Sequence, residues 1–340
     1  MKKPTTLKDI ARETGVHVST VSRALDINGR SSLTEDVIQR VRDTALRLGY
    51  RPNRLASALR TSRTMTVGIL IPDITNTVFP PIVRGMESVL EPLGYAAIIV
   101  NTDNVPEREH RLVEVLRERG VDGIIHAAAQ RDDPYIVEVA QQGTPVVTVN
   151  RSIEGSDIPG VVNDEAQGIR LMMQHLYDTG HRRIAHISGP ESFSTGQARL
   201  RGFHVMAQEL HLDIPPQAIA QSDQFNEAEG RRCTALLLGE GWRFTAILCA
   251  NDRLALGAIA SLRAHGLRCP EDISVTGFND MPLLDLIPPG LTTIRIQQFL
   301  VGQVAARLLI QSMTDPGAVP IETVLPVELI RRGSVAGVRD

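Results

Sequence analysis

The sequence predicts a small all-α helix-turn-helix head joined to an α/β core of two doubly wound subdomains. In the first 50 residues, apolar positions recur at helical spacing and glycine interrupts them. From Met65 onwards, nearly continuous apolar runs alternate with helical stretches, which is typical of parallel sheets covered on both faces. The balance of basic and acidic residues changes at about the same place in the sequence. Residues 1–63 contain 13 Lys and Arg against 6 Asp and Glu, whereas the remainder contains 23 against 33. A basic head on an acidic body predicts a polyanion-binding module at the N-terminus.

The first two predicted helices lie in Leu7 to Arg23, LKDIARETGVHVSTVSR. Thr6 and Asp9 have the capping-box spacing at the start of the first helix, and Gly15 ends it. Two short helices joined by a glycine-containing turn form a motif that places its second helix in the DNA major groove. An αα-hairpin inside an ordinary helical domain has the same spacing, so the spacing alone leaves both interpretations open.

A third helix is predicted over residues 35–48, between Thr34 as its N-cap and Gly49 as its end. Asn53 can cap a further short helix over residues 54–60. Seven residues are too few to be stably helical alone in water. This segment is therefore predicted to be a linker that folds only on a partner, with a solvated linker as the alternative.

In the core, nine apolar runs are predicted as strands: residues 67–72, 96–100, 121–127, 145–150, 183–189, 246–252, 273–278, 291–296 and 323–330. Ligands of such sheets bind beyond the carboxyl ends of the strands. That rule predicts a binding site formed by residues 72–79, 150–151, 189–199, 251–252 and 279–280.

Nine motifs along the chain carry a family resemblance: LKDIARETGV…STVSRAL, LGYRPNRLASALRT, VGILIPDITNTVF, GHRRIAHISGP, ARLRGF, CANDRLALGA, ISVTGFND, LTTI and LIRRGSV. Together they resemble the LacI/GalR family of bacterial transcription regulators over essentially the whole chain. The resemblance implies a DNA-binding head at 1–50, a hinge helix at 51–64, and an effector-binding and dimerisation core at 65–340, like periplasmic sugar-binding proteins. Within the core it implies an N-lobe of about 65–161 and 292–320, and a C-lobe of about 162–291 and 321–340.

The resemblance also implies which residues contact DNA. The expected major-groove contacts are His17, Val18, Ser19, Thr20 and Arg23; the expected backbone contacts are Thr6, Ser22 and Ser31; and the expected hinge contacts in the minor groove are Asn53, Ala56, Leu59 and Arg60. The alternative for Val18 is a core position. The family usually has Ser or Thr where this chain has His17. Because histidine caps poorly, the second helix is expected to start weakly or in a shifted position.

The effector site implied by the resemblance consists of Asp73, Asn76, Phe79, Asn150, Arg151, Arg199, Phe225, Asn251 and Asn279. Sugar-binding relatives often have Asp at positions 150 and 279. With Asn at both, Arg151 and Arg199 are less neutralised, which favours an anionic effector such as a sugar acid or sugar phosphate. The alternative is that Asp73, Asp164 or Glu165 balances the charge. Asp252 is expected to be structural.

The motifs, the cysteine content and the ends of the sequence limit the classes of function and assembly that are expected. No nucleophile-elbow, dinucleotide-binding, P-loop or zinc-protease motif is present, so an enzyme is not expected, nor is a metal or cofactor. A stand-alone sugar-binding protein would need a signal peptide, and none is visible. Three widely spaced cysteines fit a reducing compartment, and a cytoplasmic protein is expected.

The absence of a leucine-heptad tail favours a homodimer over a coiled-coil tetramer. The expected function is a repressor that binds a near-palindromic operator under allosteric control by a small-molecule effector, a sugar or sugar derivative.

Overall fold

The computed structural model describes residues 5–25, 33–50, 63–315, 317 and 321–338. The chain divides into two compact units, Met1–Thr64 and Met65–Asp340. They are called the head and the core below, and each is described by itself.

Three helices form the described part of the head: α1 (Leu7–Thr14), α2 (Val18–Leu25) and α3 (Glu35–Arg47). At the start of α1, the Asp9 carboxylate accepts the Thr6 backbone N–H at 2.9 Å and the Thr6 hydroxyl at 2.7 Å. Gly15 ends the helix at φ +68°, a conformation that glycine adopts without a Cβ clash. The three helices enclose a small apolar core of Ile10, Ala11, Val21, Ala24, Ile38, Val41 and Ala45.

The core begins with alternating strands and helices that form an N-lobe: β1 (Thr66–Ile71), α4 (Phe79–Leu90), β2 (Ala96–Asn101), α5 (Pro106–Glu118), β3 (Gly123–His126), α6 (Pro134–Gln141), β4 (Val146–Val149) and β5 (Gly160–Asn163). The C-lobe follows with α7 (Glu165–Asp178), β6 (Ile184–Ser188), α8 (Ser194–Glu209), β7 (Ile219–Gln221), α9 (Glu227–Gly239), β8 (Ala246–Cys249), α10 (Asp252–Ala264) and β9 (Ser274–Thr276). The chain ends with β10 (Thr293–Arg295), α11 (Gln298–Ser312), β11 (Glu322–Leu325) and β12 (Glu328–Ile330).

Both large sheets are entirely parallel within the described residues. The N-lobe sheet has the order β11-β5-β4-β3-β1-β2, and the C-lobe sheet has the order β7-β6-β8-β9. Strands β1, β3 and β4 are almost fully buried, as expected for strands covered by helices on both faces. The predicted α/β core of two doubly wound subdomains is therefore confirmed.

The last strands differ from the prediction. Residues 323–330 were expected to form one strand of the C-lobe. Pro326 interrupts this segment, because proline has no N–H to donate to a ladder. Before it, β11 pairs in parallel with β5 and so lies at the edge of the N-lobe sheet; after it, β12 pairs antiparallel with β10. Residues 322–325 thus belong to the N-lobe, and the lobe boundary predicted at 320/321 is wrong.

Two glycines allow α4 and α11 to cross at close range. A Cβ built on Gly302 would overlap the carbonyl oxygen of Ile82, and one on Gly85 would overlap that of Phe299. The backbones therefore touch at two reciprocal points, which fixes α11 against the N-lobe.

Two short strands, β5 and β7, were not predicted. No helix among the described residues is long and apolar enough to cross a membrane.

Candidate functional site

Helix α2 presents the side chains expected to contact DNA. His17, Ser19 and Arg23 are exposed, whereas Thr20 and Ser22 are half-buried. Val18 is also half-buried and packs against the apolar core of the head. Its position is therefore compatible with both roles considered for it, a core position and a contact in the major groove. Thr6 is exposed at the start of α1. The remaining expected contacts, Ser31, Asn53, Ala56, Leu59 and Arg60, lie outside the described residues and stay predictions.

His17 caps α2 with its ring. Helix α2 begins at Val18, directly after His17, and the ring Nδ1 accepts the Ser19 N–H at 3.3 Å. The Ser19 hydroxyl lies 2.8 Å from the same nitrogen. An imidazole nitrogen thus takes the place of the usual side-chain oxygen. The expected shift of the helix start is not found.

In the core, all nine residues expected to bind the effector line one cleft. It has an empty volume of about 580 Å³, its solvent-open part included. The N-lobe contributes the ends of β1 and β4 with Asp73, Asn76, Phe79, Asn150 and Arg151, and the C-lobe contributes Arg199, Phe225, Asn251 and Asn279. The carboxyl ends of parallel strands from both lobes therefore meet there, as the rule for such sheets predicts.

Arg199 has a buried carboxylate partner at the C-lobe side of the cleft. Its Nε lies 2.6 Å from Glu165 Oε2, its Nη1 donates to the Ala250 carbonyl at 2.6 Å, and its guanidinium stacks 3.8 Å from the centre of the Phe278 ring. Burial raises the pKa of Glu165, although the charge of Arg199 opposes that shift. The expectation that Arg199 is poorly neutralised is wrong, and Glu165, one of the three alternatives, provides the charge.

Arg151 differs from Arg199 in its hydrogen-bond partners. It is 4 % exposed, and its Nη1 donates to Asn104 Oδ1 and to the Ala128 carbonyl, both at 3.1 Å. Among the described residues, no carboxylate lies within ion-pair distance of it. Burial lowers the pKa of Arg151 to about 9, partly opposed by the more distant charge of Glu109. The guanidinium also lies 3.6 Å from the centre of the Phe193 ring in the C-lobe.

An ion-pair network crosses the mouth of the cleft. Arg253 of the C-lobe donates to both carboxylate oxygens of Glu227 at 2.8 Å and to Asp73 Oδ2 of the N-lobe at 2.7 Å. Burial raises the pKa of Asp73, but hydrogen bonds from Thr75 and Arg253 outweigh it and hold the pKa below its ordinary value. The Arg253–Asp73 pair joins the two lobes directly.

Two further hydrogen bonds join the lobes. The Arg131 N–H donates to the Ser192 carbonyl at 2.7 Å, and the Ser152 N–H donates to Ser194 Oγ at 2.9 Å. Together with the Arg253–Asp73 pair, they connect the two lobes beside the cleft.

Three of the asparagines that line the cleft, Asn150, Asn251 and Asn279, are placed by the backbone. Asn150 has φ +66° and Asn279 has φ +117°, and Asn tolerates the left-handed region better than most residues. Asn251 caps α10, because its Oδ1 accepts the Leu254 N–H at 2.8 Å. Its amide N–H₂ group is not used by the cap, and the residue lines the cleft.

Sequence reasoning missed four cleft residues, Asn104, Gln224, Asn226 and Arg253, and included Thr195 only as part of the segment 189–199. Arg253 directly follows the predicted Asn251–Asp252 pair, so its position in the CANDRLALGA motif was an available signal. Asn104 and Thr195 lie outside any quoted motif. Asp252 does not line the cleft: it is fully buried and accepts hydrogen bonds from the Met281 N–H and the Thr293 hydroxyl, which agrees with a structural role.

Two family models match the chain. Residues 6–53 match the bacterial regulatory proteins of the lacI family, and residues 173–335 match a periplasmic binding protein-like domain. The first match covers the helix-turn-helix, and the second covers the C-lobe and the return of the chain.

Curated relatives align over nearly the full length. The HTH-type transcriptional regulator RegA of Clostridium saccharobutylicum is 34% identical over 331 residues, covering 97% of this chain and 99% of the relative. The ribose operon repressor of Halalkalibacterium halodurans is 32% identical over 338 residues, covering 98% of each.

Solved structures show the same arrangement. A lac repressor dimer bound to operator and the anti-inducer ONPF superposes with a TM-score of 0.85 at 30% identity, covering 98% of this chain and 100% of that one. A transcriptional regulator from Enterococcus faecium with bound ribose gives a TM-score of 0.70 at 32% identity, covering 81% and 100%.

Proposed function

Because the chain belongs to the lacI family of bacterial regulatory proteins, we propose that it represses transcription as a homodimer bound to a near-palindromic operator. Family membership makes it a DNA-binding transcriptional regulator controlled by an effector, and its relatives are regulators rather than enzymes. The observation that carries the proposal for its control is the convergence of nine predicted residues, from both lobes, on one cleft. An operator as partner places the protein in the cytoplasm.

The proposed effector is a sugar or a sugar derivative. The cleft offers amide groups for hydroxyls and the rings of Phe79 and Phe225 for the apolar face of a sugar, the usual composition of such sites. The solved relative from E. faecium holds ribose. The case for a sugar acid or sugar phosphate as effector rests on Arg151 alone, because the other two arginines of the cleft, Arg199 and Arg253, have carboxylate partners.

Control of DNA binding is proposed to pass through the hinge. By family resemblance, Leu59 inserts into a central base step, which kinks DNA at a cost of roughly a few kcal/mol. A change in the angle between the lobes then alters the spacing of two hinges in a dimer, with a coupling of roughly 1–3 kcal/mol between effector and operator. Leu59→Ala is expected to weaken operator binding and to leave effector binding intact. Unchanged operator affinity would refute the role of Leu59.

Selection of bound duplexes from a random DNA pool, near 0.15 M salt, tests the proposed operator. A near-palindrome with a flexible central step is the expected product. Protein with Arg23→Gln serves as the comparison and should lose enrichment at specific positions, because Arg23 is the residue expected to bond a guanine edge. Selection of asymmetric sites, or of none with any effector present, would refute the dimeric operator.

Calorimetry with matched ligands tests the effector class. Ribose, glucose and cellobiose are compared with glucuronate and glucose 6-phosphate. Arg151→Gln should weaken binding of an acid much more than binding of its neutral counterpart if Arg151 carries the anion. Arg84→Gln, which removes an exposed ion pair with Glu87, is the control. If the acid and the neutral sugar bind equally well, the anionic effector is excluded.

A further inference from the structure

The N-lobe has a second pocket beside the effector cleft. It lies between the start of α5 and the loop that follows β3, and its empty volume is about 910 Å³ with the solvent-open part included. The residues that decide its chemistry are Glu109, His110, Arg131, Asp132, Asp133 and Tyr135. None of them belongs to the effector cleft described above.

Two buried carboxylates stand at this pocket beside one imidazole. Glu109 is 2 % exposed, Asp133 is 4 % exposed and His126 is fully buried, and one ligand atom from each lies within 4.8 Å of the others. Burial and repulsion by Glu109 raise the pKa of Asp133. Two acidic groups so close together and out of water need a positive charge or a bound proton.

His126 does not supply that charge. Its Nδ1 accepts the Ala128 N–H at 3.1 Å, so this nitrogen holds no proton. The ring is therefore the neutral tautomer with its proton on Nε2, which lies 3.0 Å from Glu109 Oε1. A protonated Nε2 also has no lone pair for a metal ion, so this histidine is not a metal ligand in the observed arrangement.

The nearby arginines make their side-chain hydrogen bonds elsewhere. Arg131 at the rim pairs with Glu154 at 3.0 Å through Nη1, while its Nε is buried without a partner among the described residues. Arg151 donates to Asn104 and Ala128 in the effector cleft. Within the described residues, no Lys or Arg lies within ion-pair distance of Glu109 or Asp133. Glu109 Oε2 is buried and has no hydrogen-bond donor in that part of the chain.

The walls of the pocket favour an organic cation. The rings of His110 and Tyr135 stack with centroids 3.9 Å apart, and both residues line the pocket with Pro106 and Pro134. Aromatic faces attract organic ammonium groups, and a carboxylate accepts their N–H donors. We propose that this second pocket binds the ammonium group of a small organic amine, with Glu109 as its main acceptor and Asp133 as the second charge.

Calorimetry on the full chain with n-butylamine, and with n-butanol as its neutral counterpart, tests this proposal. The amine should bind and the alcohol should not. Glu109→Gln, which keeps the shape of the side chain but removes its charge, should weaken amine binding at least tenfold. Glu107→Gln removes an exposed carboxylate from the same helix, outside the pocket lining, and should alter it by less than threefold. Operator binding by Glu109→Gln should be retained, which separates this test from that of the proposed function.

Three results would overturn the proposal. Equal binding of amine and alcohol would show an apolar pocket. Binding of Mg²⁺ or Zn²⁺ that is lost in Glu109→Gln, without amine binding, would show a metal site. No amine binding together with a higher thermal midpoint for Glu109→Gln would show that the two carboxylates share a proton.

Discussion

At the residue scale, His17 gives the recognition helix a nitrogen in place of the usual capping oxygen. Only the neutral ring can act in this way, because an imidazolium has no acceptor. The cap also occupies the Ser19 hydroxyl, which lies 2.8 Å from the same nitrogen. A single residue thus positions both the start of α2 and one of the side chains proposed to contact bases.

His17→Ala is expected to weaken operator binding, because loss of an N-cap costs about 0.5–2 kcal/mol of helix stability. His17→Ser restores a capping oxygen and should recover most of the affinity. Fluorescence anisotropy with the selected operator measures both. If His17→Ser binds as weakly as His17→Ala, the imidazole itself contacts DNA and the cap is not the reason for the loss.

Asp252 should make the stability of the core depend on pH. Burial raises its pKa from 3.8 to about 7, only partly opposed by the hydrogen bonds from Thr293 and Met281. A carboxyl group whose pKa is raised by folding contributes its stability below pH about 4 and loses it as the pH rises through about 7. The free energy of unfolding in urea should therefore fall less between pH 5.5 and pH 8 in Asp252→Asn than in the native chain. Asp285→Asn, on an exposed loop, should leave the slope unchanged. Parallel slopes for Asp252→Asn and the native chain would contradict the assignment.

At the element scale, the helices α4 and α11 cross in direct backbone contact. Gly302 faces the Ile82 carbonyl, so any Cβ must push the helices apart. Gly302→Ala is expected to destabilise the core by about 1–3 kcal/mol, the usual cost of overpacking. Gly239→Ala, which meets no atom within 4 Å, should be neutral or slightly stabilising. Equal urea midpoints for the two variants would show that the crossing relaxes freely.

The elements also show what a sequence can specify. Gly15 and the Thr6–Asp9 pair bound α1 through local chemistry, so the helix was predictable from its ends. Strands β5 and β7 were not, because GVVN and IAQ lie in no extended apolar segment and show no strand period. Pro326 was visible in the sequence, but the partner of each half of the divided strand is decided by pairing between distant segments.

At the scale of the whole core, the two lobes meet around the cleft. The segments that form most of the cleft could be predicted because parallel strands bring their carboxyl ends to one edge, and the family resemblance supplied the individual residues, Phe225 included. Their charge partners could be narrowed to three candidates but not assigned. Glu165 reaches Arg199 from 34 positions away within the C-lobe, and Arg253 reaches Asp73 across 180 positions and between the lobes, so each pairing is decided by tertiary folding.

The Arg253–Asp73 pair should favour closure of the lobes without effector. Asp73→Asn keeps the oxygen that bonds Thr75 but removes the charge facing Arg253. This variant is expected to have a larger radius of gyration in small-angle X-ray scattering when effector is absent, and to bind effector more weakly. Arg84→Gln, which removes an ion pair inside one lobe, is the control. Identical scattering profiles for Asp73→Asn and the native chain would show that other contacts hold the lobes closed.

The edge strand β11 completes the N-lobe sheet, although it follows the whole C-lobe in the sequence. During synthesis, the three helices of the head can leave the ribosome and fold long before β11 has been made. Until then, one edge of β5 is unpaired. An unpaired parallel edge invites association with other chains. A premature stop codon between α11 and β11 would therefore yield a polypeptide with an intact head and an aggregation-prone core. Such a product would retain the part that recognises DNA and all nine cleft residues, but its N-lobe sheet would lack the strand that completes it.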